Sequence, residues 1–65
     1  MVETTKIDAV ATALSLVELL AESPSPMRIK ELSEQLKTTP SKTYRHLSTL
    51  KMLGYLEQES TSGRY

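Results

Sequence analysis

Thr39-Pro40-Ser41-Lys42-Thr43-Tyr44-Arg45-His46-Leu47-Ser48-Thr49-Leu50-Lys51-Met52-Leu53-Gly54-Tyr55-Leu56 carries both a start and a stop signal for a helix, and its reading decides the fold. Thr39 is a cap residue, and Pro40 suits the first helical position, where a missing N–H costs nothing. Gly54 suits the left-handed residue just past a helix end, and Tyr55-Leu56 begins a strand-like run. The spacing predicts a helix from Pro40 to Leu53, about four turns at 3.6 residues per turn. With Leu50 at the centre of the buried side, Thr43, His46, Leu47 and Leu53 share that side at i, i+3, i+4 spacing. The opposite side carries Ser41, Tyr44, Arg45, Ser48 and Met52, flanked by Lys42 and Lys51. An apolar floor beneath Ser, Tyr, Arg and Lys suits insertion into something anionic. We read it as a DNA-recognition helix presented by the rest of the chain.

Working upstream, Lys30 to about Lys37 reads as a short helix with Ile29, Leu32 and Leu36 on its apolar side and Ser33 beside them. Arg28 and Ile29 precede it, so its start lacks a cap residue. Thr38-Thr39 is then a turn of only a few residues, and two helices joined so closely match a helix-turn-helix. Before them, Ser23-Pro24-Ser25-Pro26 cannot continue a helix, and Met27-Arg28-Ile29 reads as a short extended piece. Downstream, Tyr55 to Glu59 is strand-like, Ser60 to Gly63 is a turn cluster, and Arg64-Tyr65 begins a returning strand. A hairpin cut at its second strand reads as a fragment of a longer protein.

The first helix is expected from about Thr5 to Glu22. Ile7, Val10, Leu14, Val17 and Ala21 form one apolar stripe, and Ala9, Ala13, Leu16 and Leu20 form a second beside it. An apolar arc of this width exceeds the usual stripe of about 100° on a surface helix. One stripe is therefore expected to pack on its own domain, and Ala9, Ala13, Leu16 and Leu20 on a second copy. A central helix buried all round is the plainer alternative.

Sixty-five residues make one small domain, which buries only roughly 60% of its unfolded surface and gains from a further domain or a partner. The chain has no cysteine, which removes disulfides, thiolate zinc sites and cysteine nucleophiles and suits a reducing cytoplasm. It shows no secretory signal and no apolar run near the ~20 residues of a membrane span. Net charge is zero, but its distribution is uneven. Up to Pro24, Lys6 alone faces Glu3, Asp8, Glu18 and Glu22; from Ser25 on, seven cations face four acids. Between Gln35 and Leu56 there is no acid, while Lys37, Lys42, Arg45 and Lys51 all lie there. Charge alone favours a solvated basic face over a nucleic-acid footprint.

No enzymatic constellation is present. The one histidine, His46, falls on the apolar side of its helix, and Glu57 and Glu59 fit a solvated strand. Gly54 and Gly63 have uses as a helix stop and a turn, not as a phosphate loop, and no cofactor or metal is implied. DNA reading asks for small polar residues at the leading end of a helix and cations placed for phosphates. Thr39, Ser41 and Lys42 stand at that end, where the helix dipole and free N–H groups add to the attraction for an anion. Arg45 lies mid-face with Tyr44 and Ser48 beside it, at lengths suited to base edges or phosphates. Arg28 is a further candidate contact, and Ser62 and Arg64 at the hairpin tip are candidates for a wing in a neighbouring groove. For each residue singly, plain exposure is the competing explanation, and for Tyr44 it is core packing at the edge of the apolar stripe. Their coincidence on one helix face favours DNA over the runner-up, a winged helix used for protein–protein contact or dimerisation.

Ala13 to Ala21, Ile29-Lys30-Glu31-Leu32-Ser33, Tyr44-Arg45-His46-Leu47-Ser48-Thr49-Leu50, Gly54-Tyr55-Leu56 and Gly63-Arg64-Tyr65 together resemble the amino-terminal domain of IclR-type transcriptional regulators. The resemblance spans about Ile7 to Tyr65. It implies a mainly α, small α+β fold: a winged helix-turn-helix of three helices, a short strand and a β-hairpin wing, filling residues 1–65. It further implies a homodimer or dimer of dimers on a palindromic double-stranded operator, as a repressor or activator. A small-molecule effector would bind a carboxy-terminal domain expected beyond Tyr65. The family usually leads into its recognition helix with Gly-Leu-Pro-Lys-Ser-Thr, whereas Lys37-Thr38-Thr39-Pro40-Ser41-Lys42 places proline one residue later. Thr43 and His46 also replace aliphatic residues, which implies a more polar floor under the helix.

Overall fold

A computed structural model describes residues 8–65. The described residues contain α1 (Asp8–Glu22), α2 (Ile29–Leu36) and α3 (Pro40–Met52), and none of these helices is long and apolar enough to cross a membrane. The expected start of α1 at Thr5, and Ile7 of its first stripe, lie outside the described residues.

α3 begins where its signals place it. Thr39 is the N-cap, its Oγ1 accepting the Lys42 N–H at 3.2 Å, and Pro40 opens the helix. The end follows Gly54, at φ +87°. Gly54 N–H reaches the Lys51 carbonyl at 3.1 Å and Tyr55 N–H the Leu50 carbonyl at 2.9 Å, the paired bonds of a Schellman stop. α2 starts one residue before the expected Lys30 and is capped from within. Its Glu31 carboxylate turns back to accept the Arg28 N–H at 2.9 Å, half of a capping box; an arginine side chain, having no acceptor, cannot supply the other half. α2 closes in the same way as α3, with Lys37 N–H on Glu34 O (3.3 Å) and Thr38 N–H on Ser33 O (3.0 Å). Here, however, the left-handed residue is Lys37 (φ 56°, ψ 46°), not a glycine.

The core is Leu16 of α1, Met27, Leu32 of α2, Leu47 and Leu50 of α3, and Tyr65. Ala13, Val17, Leu19, Leu20, Ile29, Leu36 and Leu56 lean on it. This corrects the assignment of the α1 stripes. Leu16 is 0% exposed and fills the interior, so it is not available to a second copy, and Ala13 and Leu20 pack beside it. The side left to solvent carries Ala9, Val10 (54% exposed) and Leu14 (60%). Leu53, expected in the floor beneath α3, is 65% exposed: it keeps a helical backbone, with its N–H on Thr49 O at 3.0 Å, but lies at the last position of the ladder, away from the core cluster.

The described residues do not show the expected short strand and β-hairpin wing: no β-strand forms among them. Beyond the α3 stop, Leu56 to Gln58 runs without turn or ladder, since among the described residues no second segment offers it backbone partners along its length. Pairing is confined to two points. Glu59 N–H donates to Arg64 O at 2.7 Å across a turn in which Gly63 N–H returns to Glu59 O at 2.8 Å. Met27 and Tyr65 exchange N–H···O bonds at 2.9 and 2.8 Å, the mutual pair of antiparallel chains.

Candidate nucleic-acid interface

The inward face of α3 is fixed by Thr43, Leu47 and Leu50, all buried, and the outward face is set by elimination. Ser41, Lys42, Tyr44 (55% exposed) and Arg45 are exposed, and Ser48 is half-buried. Within the described residues, no side-chain hydrogen bond engages the polar ends of these five; only the Lys42 N–H and the Arg45 carbonyl are used, by Thr39 and Thr49. Thr39 is partly occupied. Its oxygen accepts the cap bond and its hydroxyl proton remains free to donate.

Lys42 and Arg45 open on one side into a cleft of about 630 Å³ between α1, the α2–α3 turn and α3. Lys37 and His46 line the same cleft, with Asp8 as the one acid. Neither Lys37 nor His46 was among the candidate contacts. The acid-free run from Gln35 to Leu56 contained both and was the available signal. His46 is half-buried and lines this cleft; it is not sealed into the core.

On the other side, Tyr44, Ser48, Lys51 and Met52 form a groove of about 480 Å³ with Gln58 and Tyr65 of the carboxy-terminal segment. A polar relay spans this groove: Lys51 Nζ donates to Gln58 Oε1 at 2.9 Å, and Gln58 Nε2 donates to Gly63 O at 3.0 Å. It ties the 59–63 turn to the carboxy-terminal half of α3. Ser62 in that turn is committed internally, its hydroxyl donating to Glu59 and accepting the Arg64 N–H at 3.2 Å. Arg64 is half-buried. Arg28, the cap residue of α2, is exposed. The structure thus gathers Ser41, Lys42, Tyr44, Arg45 and Ser48 on α3 and hangs the Ser62–Arg64 turn from its far end. Burial pushes the Tyr65 phenol above its ordinary pKa, and the neighbouring Tyr44 adds to the rise.

Among the described residues, no three of His, Asp and Glu gather where they could hold a metal ion. The chemistry on this surface is that of ammonium, guanidinium and hydroxyl groups, which suits binding anions and hydrogen-bond acceptors. The family model of the IclR helix-turn-helix domain matches residues 9–60, most of the chain. That is a DNA-binding domain of transcription regulators and not a catalytic one. No curated protein and no solved structure matches the chain.

Proposed function

Since the chain belongs to the IclR helix-turn-helix domain family, we propose that it reads a specific duplex DNA sequence by laying α3 in the major groove. One observation carries this reading. The outward face of a capped helix, whose inner face is buried, presents Ser41, Lys42, Tyr44, Arg45 and Ser48 without internal side-chain hydrogen bonds. In this reading Arg45 contacts a guanine edge, Lys42 a phosphate, and Ser41, Tyr44 and Ser48 base edges or sugar-phosphate. Arg28, Thr39 and Lys37 anchor phosphates around them. The 59–63 turn with Arg64 serves as a wing, reaching DNA beside the groove that α3 occupies.

The same proposal extends to assembly. A homodimer on a palindromic operator forms through the solvent side of α1, where Ala9, Val10 and Leu14 replace the buried Leu16 as the contact. Residues 1–65 act as the DNA-binding domain of a cytoplasmic repressor or activator, and a following domain takes the small-molecule effector. A second reading, protein–protein contact, is favoured by one observation only: Met52 (82% exposed), Leu53 (65%) and Tyr55 (69%) expose apolar surface at and just past the end of α3.

Salt decides between the two. DNA affinity should fall with the logarithm of salt, with a slope of about −0.9 per phosphate neutralised. Arg45→Ala should cost about 1–3 kcal/mol of operator binding and relax specificity at one base. Lys42→Ala should weaken operator and random duplex alike and flatten the slope by about one. No detectable duplex binding at low salt, even with dimerisation enforced, would discard the DNA reading.

A further inference from the structure

Two buried hydroxyls meet in the contact between α2 and α3. Ser33 is 3% exposed and Thr43 is 0% exposed. Ser33 Oγ stands 2.9 Å from Thr43 Oγ1 and donates to it. It also lies 2.7 Å from the Ile29 carbonyl, so one proton is shared between the two acceptors. Thr43 Oγ1 in turn donates its own hydrogen bond to the Thr39 carbonyl at 2.9 Å. The chain of bonds therefore begins at the first residue of α2, crosses the helix contact and ends on the N-cap of α3. That N-cap also accepts the Thr43 N–H (3.0 Å) through its carbonyl and the Lys42 N–H (3.2 Å) through its side chain. No buried side-chain nitrogen or oxygen among the described residues lacks a partner.

Such a pair adds little net stability over two apolar residues of the same shape, since each hydroxyl gives up water to make its bond. What it adds is direction. Leucine packing tolerates small rotations of one helix on another, whereas a hydrogen bond weakens steeply as its donor and acceptor lose alignment. Its far end lies in the turn that carries Ser41 and Lys42, so any rotation it prevents is one that would move those two side chains.

We propose that the Ser33–Thr43 hydroxyl pair is a positioning device, which fixes the orientation of α3 on α2 and so sets the selectivity with which α3 reads DNA. Neither residue touches DNA. Its effect on selectivity rests on the DNA reading above; its effect on helix orientation does not. The test uses the full chain as wild type, S33A, T43V, T43S and the S33A/T43V double variant. Residual dipolar couplings report the α2–α3 angle, and binding to a selected operator and to random duplex gives the selectivity ratio. The double variant replaces both partners with apolar groups of similar shape, so it should keep the wild-type urea midpoint. It should nonetheless shift the α3 couplings and lose roughly tenfold in operator affinity with random-duplex affinity unchanged. T43S, which keeps the hydroxyl, should retain wild-type selectivity. If T43V fails to fold, S33A and T43S carry the test, the first losing selectivity and the second keeping it. Wild-type couplings and selectivity in the double variant would overturn the proposal. If the wild type binds no duplex, the DNA reading fails, and the couplings alone decide whether the pair orients α3.

Discussion

The α2–α3 unit and the segment from Gly54 to Tyr65 are neighbours in sequence and are held by different means. In the first, backbone caps close both helix ends, a buried hydroxyl chain joins the helices, and Leu32, Leu47 and Leu50 lie in the core. In the second, no strand forms, and the chain is held at points: the exposed Lys51–Gln58–Gly63 relay, the Glu59–Arg64 bond, and the Met27–Tyr65 pair with Leu56 and Tyr65 packed on the core. Exposed polar bonds contribute little, because water competes for every donor and acceptor. The surface that carries Arg45 thus rests on caps and core packing, while Arg64 rests on point contacts that should open at lower free energy. A reader of base edges needs the first kind of support, and a wing that adjusts to a phosphate backbone tolerates the second.

The comparison breaks most directly at two leucines. Leu47 is 0% exposed, and Leu47→Ala should cost about 3 kcal/mol, from lost transfer energy and the cavity left behind. That is a large share of the roughly 3–10 kcal/mol available to a domain of this size. Leu56 is half-buried and leans on the core from the tail, so Leu56→Ala should cost about half as much. Urea midpoints read the difference. Equal losses would mean that the tail is as integral to the core as α3, and the contrast would fall.

A smaller effect sharpens the same contrast, through the three residues described at positive φ. The tail uses Gly54 and Gly63 for its left-handed positions, while the helix-turn-helix unit uses Lys37. A side chain in that conformation carries a steric penalty of about 1 kcal/mol or more, part of which glycine offsets by its greater freedom in the unfolded chain. Lys37→Gly should therefore stabilise by about 0.5–1 kcal/mol, seen as a higher urea midpoint with an unchanged slope. The same variant removes a cation from the cleft beside Lys42 and Arg45, so it should bind duplex less tightly while folding better. Loss of stability on this change would show that the Lys37 side chain supports the turn in a way its backbone geometry does not indicate.

Lys37 also marks where the sequence could be read and where it could not. The start of α3 was legible because Thr39 and Pro40 act through their own atoms, and its stop because Gly54 does. Nothing in Lys37-Thr38 announces a left-handed residue; a lysine adopts one only because the turn between α2 and α3 demands it. The start of α2 was obscured in the same way, since its cap bond comes from Glu31, three residues inside the helix. Two readings turned on tertiary contact that the sequence does not display. A helical wheel shows that α1 has two apolar stripes but not which one meets Leu32, Leu47 and Leu50, so Leu16 went to the wrong partner. Tyr55 to Glu59 has the composition of a strand, but a strand also needs a partner along its length, and among the described residues strand-like pairing of the tail is limited to Glu59 with Arg64 and Tyr65 with Met27. At the candidate interface, the outward residues of α3 followed from periodicity alone. Lys37 and His46 required knowing that the turn and α1 close a cleft beside them.

The smallest effect at neutral pH tests whether the tail is held by its buried end or by its exposed relay. Tyr65 is 9% exposed, and burial, with Tyr44 nearby, raises its phenol pKa above the ordinary value. The folded chain therefore holds this proton more tightly than the unfolded chain does. The corresponding stability is fully present below the unfolded value of about 10 and is lost as pH rises through the higher folded value. Wild type should then lose stability between about pH 9 and about pH 11 faster than Tyr65→Phe, whose ring has no proton to release. Near neutral pH the two should be close, since the removed hydroxyl makes no hydrogen bond within the described residues. If the two curves run parallel through the alkaline range, the Tyr65 phenol is hydrated in solution and its burial does not hold the tail, which leaves Leu56, the Met27 pairing and the exposed Lys51–Gln58–Gly63 relay to do so.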